Sequence, residues 1–182
     1  MSFDDLLFRV LKPDGKLENV PFHSSRLQNL TSSYRKELQL DCQVSGVGSG
    51  QGDYTLKAIG LSTVVSRVVW WAAKTGDKFP TVTDAYQNTT NIGVVPVRNG
   101  EFTINFNYPG SYYENGQLGV PHIHLGLCGP DGTTLHVLTV DLDVLPNLSY
   151  WSWTKTFIVL TILLIVILLF RSTFALAKVP KN

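Results

Sequence analysis

Between Glu101 and Tyr108 apolar and polar residues alternate without a break, which puts Phe102, Ile104, Phe106 and Tyr108 on one face of an extended strand. Residues 120–127 alternate as well, with Ile123, Leu125 and Leu127 on one side and Val120, His122 and His124 on the other. The turn residues Gly129-Pro130-Asp131-Gly132 then lead into the Val-, Leu- and Thr-rich segment 135–142. Near the start, residues 6–11 and 16–20 flank Lys12-Pro13-Asp14-Gly15, in which Pro presets one turn angle and Gly relieves another. This predicts a hairpin. Leu27, Leu30, Tyr34 and Leu38 recur at helical spacing behind the caps Ser24 and Ser25, predicting an amphipathic helix. A run with glycine at every second position follows, from Ser45 to Gly52. It lacks the Lys-Ser/Thr and the spacing of a phosphate cradle, so it reads as a linker. From residue 54 onward, strands about ten residues apart with turns between them favour an antiparallel β-sandwich over a parallel sheet.

The C-terminal end breaks this pattern. Residues 156–170, TFIVLTILLIVILLF, are apolar on every face and carry no charge. They are bracketed by the belt residues Trp151 and Trp153 with Lys155 on one side, and by Phe170 with Arg171 on the other. A single transmembrane helix over residues 151–175 is expected. The divisions are then a hairpin and helix (1–44), a Gly-rich linker (45–53), a β domain (54–148), the membrane helix (151–175) and a basic tail (176–182).

Charge supports this division. All 14 acidic residues lie at or before Asp143, while Lys155, Arg171, Lys178 and Lys181 follow it, so residues 1–154 carry 11 basic against 14 acidic side chains. A mildly acidic body is unsuited to nucleic acid. The start of the chain has no apolar leader, which points to a body on the cytosolic side; the three basic residues after the span against one before it point the other way. With the body in the cytosol, the sequons at Asn29, Asn88 and Asn147 are chance matches. Two cysteines, Cys42 and Cys128, are too few for a disulfide framework and lack metal-ligand spacing.

The one dense signal for chemistry is His122-Ile123-His124, which projects two imidazoles from one strand face, with Pro109-Gly110-Ser111-Tyr112-Tyr113 offering phenols ten residues upstream. Two imidazoles and a tyrosinate suit ferric iron better than zinc or calcium. In the order RVVWWAAKTGDKFPTVTDAYQ (67–87), Asn99-Gly100-Glu101-Phe102, Pro109-Gly110-Ser111-Tyr112 and Val120-Pro121-His122-Ile123-His124-Leu125, residues 67–143 resemble the intradiol ring-cleavage dioxygenases. That resemblance implies a prealbumin-like sandwich whose Fe(III), held by two tyrosines and two histidines, opens catechols between their hydroxyl-bearing carbons. His122, His124 and Tyr112 match three of the four ligands. The other tyrosine should fall near Asn91-Ile92-Gly93-Val94, where none stands, leaving Tyr86 and Tyr113 as substitutes. The family's substrate-side arginine falls at Gly119.

Of the other candidates, His23 has no partner in sequence, His136 lies on the next strand within possible reach of His124 but reads as structural, and Asp141 and Asp143 read as solubilising strand residues. Trp70-Trp71 reads as core. With a ligand and the arginine gone, the expected function is non-enzymatic and without a cofactor: a membrane-anchored structural protein linking the bilayer to other proteins of a larger assembly. A minor capsid or inner-membrane protein of a large virus has this architecture. The alternative is a membrane-bound Fe(III) dioxygenase acting on catechols.

Overall fold

A computed structural model describes residues 3–24, 42, 48, 50–143 and 161. The chain divides into two compact units, Met1–Val144 and Leu145–Asn182. In the second unit only Thr161 is described, helical and exposed. Apart from Thr161, the expected span, with Trp151, Trp153, Lys155, Phe170 and Arg171, lies outside the described residues, as does the helix expected around residues 27–38. Among the described residues no helix is long and apolar enough to cross a membrane.

The first unit is mainly β. Its strands are β1 (Leu7–Leu11), β2 (Leu17–Val20), β3 (Phe22–Ser24), β4 (Tyr54–Ile59), β5 (Arg67–Ala72), β6 (Lys78–Phe79), β7 (Ile92–Pro96), β8 (Phe102–Phe106), β9 (Ser111–Glu114), β10 (Gln117–Leu118), β11 (His122–Cys128) and β12 (Thr134–Asp141). The short helix α1 (Val82–Tyr86) lies between β6 and β7. One sheet runs in the order β2-β1-β4-β8, a second in the order β3-β12-β11-β5-β7, and a small third in the order β10-β9-β6. All pairings are antiparallel except β6 with β9.

The predicted hairpin forms, with Phe8 opposite Val20 and Leu11 opposite Leu17. It is no appendage, because β1 also pairs with β4 along its whole length and sends Phe8 and Val10 into the main core. There they meet Leu56, Phe102, Ile104 and Phe106 from their own sheet, and Val68, Trp70, Ile123, Leu125, Leu127, Leu138 and Val140 from the five-stranded sheet. The apolar face expected of Phe102, Ile104 and Phe106 is this buried face. Each such large side chain contributes about 1.5–3 kcal/mol on burial.

The five-stranded sheet is covered on its other face too. Val69, Trp71, Ala73, Val137 and Cys128 form a second apolar cluster with Ala85 and Tyr86 of α1, Tyr112 of β9 and Cys42. Burial on both faces explains why β5 reads RVVWWA with no alternation, and why Trp70 and Trp71 are both buried although they point in opposite directions. A disulfide between Cys42 and Cys128 closes this outer layer, with a Cα–Cα distance of 5.5 Å. Two cysteines are too few to build a framework, as the sequence suggested, yet they do pair, and this one bond pins Cys42 to the sheet.

Candidate functional site

The site is built in the outer layer where β11, β9 and α1 meet. On β11, His122 and His124 project from the face opposite Ile123, Leu125 and Leu127, as the alternation requires. Trp71, opposite His124 in the β5 register, lies with its ring 5.3 Å from the imidazole. On the other side Thr139 of β12 is opposite His124, and its hydroxyl is 3.0 Å from His124 Nδ1.

Tyr112 is delivered by β9. Parallel pairing with β6 sets Tyr112 beside Phe79, and the chain is tied down as the Gly110 amide donates to the Lys74 carbonyl and the Ser111 amide to the Asp77 carbonyl. Gly110 is needed there: a Cβ would stand 2.6 Å from Phe79 Cε2 and 2.8 Å from the Gly76 carbonyl oxygen. Tyr86 arrives at the end of α1. Thr81 caps that helix by accepting from the Asp84 amide, and the Lys74 amide donates to the Ala85 carbonyl, holding the helix end to the chain beyond β5.

These elements bring together a continuous cluster of four donors. The Tyr86 and Tyr112 hydroxyls are 3.4 Å apart, Tyr112 Oη is 2.7 Å from His122 Nε2, and His122 Nε2 is 3.2 Å from His124 Nε2. Tyr86, Tyr112 and His124 are buried, and His122 is partly exposed at the rim. Burial holds His122 below the ordinary imidazole range, and burial together with neighbouring His122 holds His124 well below it. Both rings are neutral at pH 7 and offer lone pairs.

The proton on His122 can be placed from its neighbours. His122 Nδ1 is 2.6 Å from the Val120 carbonyl, which only accepts, so Nδ1 carries the hydrogen and Nε2 has a single lone pair. The Tyr112 hydroxyl lies 2.7 Å from that lone pair. If His124 carries its hydrogen on Nε2, it competes for the same acceptor; if it carries it on Nδ1, two lone pairs face each other at 3.2 Å. Two phenols and two imidazoles thus crowd around His122 Nε2, an arrangement in which a metal ion could take the place of the phenolic proton. The donor set, two imidazoles and two phenols, fits a hard trivalent cation such as Fe(III). Among the described residues no group of three or more His, Cys, Asp or Glu side chains could hold a metal, so the phenols decide the matter.

The sequence named three of the four donors and set Tyr86 beside Tyr113 as a possible fourth. Tyr113 is 44% exposed and alternates away from Tyr112. The stretch in which the other tyrosine was expected begins with Asn91, which is fully buried. Its Nδ2 donates to the Ala73 and Asn107 carbonyls, and its Oδ1 accepts from the Asn107 amide. Gly119 sits at the rim, its amide donating to the Tyr112 carbonyl, and a Cβ there would be 3.9 Å from His122 Cε1. The remaining candidates are placed elsewhere. His136 packs edge-on against Phe3, His23 pairs with Asp141 at 3.4 Å, and Asp143 accepts from the Tyr108 hydroxyl. Compared with family models, curated proteins and solved structures, the chain matches none.

Proposed function

We propose that the body is a β-sandwich of the intradiol dioxygenase type that binds Fe(III) through Tyr86, Tyr112, His122 and His124 and takes catechols as its ligands. The observation that carries this reading is the chain of two phenols and two imidazoles at 3.4, 2.7 and 3.2 Å, with Tyr86, Tyr112 and His124 buried and His122 at the rim. Bound there, ferric iron would supply Lewis acidity and draw catecholate towards reaction with oxygen. The protein's part is to hold both imidazoles neutral and oriented, through the Val120 carbonyl and the Thr139 hydroxyl, and to give up the phenolic protons. Partial exposure of His122 leaves the rim as the approach for a ring.

Gly119 favours a second reading. With no cation at that position to hold the substrate's charge, ring opening loses electrostatic help that can be worth about 3–4 kcal/mol at the barrier. The site would then be a structural remnant in a scaffold protein anchored by residues 151–175, with the lipid bilayer and neighbouring proteins of a larger assembly, such as a virion, as its partners.

One experiment separates the two readings. The purified protein is loaded with Fe(III), scanned for the visible tyrosinate-to-iron band, and given catechol in an oxygen electrode. Coloured protein that consumes oxygen supports the dioxygenase, coloured but inert protein supports the scaffold, and colourless protein that retains no iron refutes the metal site.

A further inference from the structure

We propose that the body of this protein folds in an oxidising, non-cytosolic compartment and that Asn88 carries an N-linked glycan there. The first observation is the Cys42–Cys128 bond, which joins residues 86 apart in sequence at an unforced Cα–Cα distance of 5.5 Å. Both cysteines are buried, 2% and 0% exposed, inside the outer apolar cluster. A buried bond that fastens Cys42 to the end of β11 belongs to the folded framework. Bonds of this kind form and persist outside the reducing cytosol.

The second observation is independent of the cysteines. Asn88-Thr89-Thr90 has the acceptor pattern for N-glycosylation and lies wholly within the described residues. Asn88 follows the end of α1 with φ +58°, a turn conformation that asparagine tolerates, and its side chain is exposed, as is that of Thr90. Only Thr89, between them, turns inward, donating to the Ala72 carbonyl and accepting from the Asn91 amide. The segment is thus fastened by its middle residue while the acceptor and the hydroxyl face solvent, and a glycan on Asn88 displaces no core contact. The charge asymmetry agrees, since basic residues gather after the apolar run and mark that end as cytosolic. Disulfide, sequon geometry and charge all favour the non-cytosolic side of a membrane.

The test expresses the full chain in animal cells and digests it with a glycan-removing amidase. With the other two sequons removed by Asn29→Gln and Asn147→Gln, the chain should still shift by one glycan on digestion. Adding either Asn88→Gln or Thr90→Ala should abolish that shift, and both cysteines should resist alkylation until reductant is added. The proposal is overturned if the Asn29→Gln/Asn147→Gln chain migrates unchanged on digestion, or if the shift survives both added substitutions. Cysteines that take up the alkylating label without reduction overturn it as well.

Discussion

At the scale of single residues, the site turns on one lone pair. His122 Nε2 is approached by Tyr112 at 2.7 Å and by His124 at 3.2 Å, and can accept only one hydrogen. Removing the Tyr112 hydroxyl therefore has opposite consequences with and without metal. In the metal-free protein, Tyr112→Phe deletes one hydrogen bond but frees the acceptor for His124, so the net loss of stability should stay within about 1 kcal/mol in urea unfolding. In the iron-loaded protein the same change deletes a ligand, and iron retention and the visible band should both fall sharply. A loss of several kcal/mol without metal would mean that the phenol is structural. Tyr86→Phe should likewise weaken iron retention and shift the band, since it removes the other phenolate. His122, His124 and Tyr112 were legible because strand alternation and residue order survive in any sequence. Tyr86 could not be singled out from Tyr113, because its approach to Tyr112 depends on where a five-residue helix ends.

Elements position these residues through backbone ties that a hydropathy pattern does not register. The strands facing the main core were readable: Phe102, Ile104 and Phe106 alternate because one side of β8 faces the core and the other does not. On β5 and β11 both faces are buried, so the pattern gives a strand but not the layer beyond it. That layer, made of α1 and the short β6, β9 and β10, has elements too brief to show a period. Asn91 holds it together, joining the chain after β5 to the chain after β8 by hydrogen bonds of 2.7, 2.8 and 2.9 Å from a fully buried side chain. Asn91→Ala strands two carbonyls and an amide away from water. It should cost about 2–4 kcal/mol in the urea midpoint analysis, at about 1–3 kcal/mol for each group left unpaired and with partial relaxation. Because Asn107 leads into the Pro109-Gly110 turn and Tyr112, the variant should also bind iron less tightly. A stable Asn91→Ala protein would show that other contacts position β9.

For the whole molecule, the disulfide matters through the loop it closes. Cys42 and Cys128 are 86 residues apart, and closing a loop of that size removes chain entropy worth roughly 4–5 kcal/mol from the unfolded state, of which measured cases realise about 2–4. The folded site depends on the bond much less. β11 is held along its length by β5 on one side and β12 on the other, and His122 and His124 sit at the end of that strand away from Cys128. Replacing both cysteines by alanine should therefore separate stability from function. Unfolding stability should drop by about 2–4 kcal/mol, roughly 5–15 °C in Tm for a body of this size. Below the lowered Tm, the iron band and iron stoichiometry should match those of the parent protein. If the double variant loses iron while still folded, the segment carrying Cys42 must also shape the metal pocket. Cys42 packs in the same apolar cluster as Tyr86 and Tyr112, so that outcome would assign the covalent bond a second role, closing the outer layer over the donors.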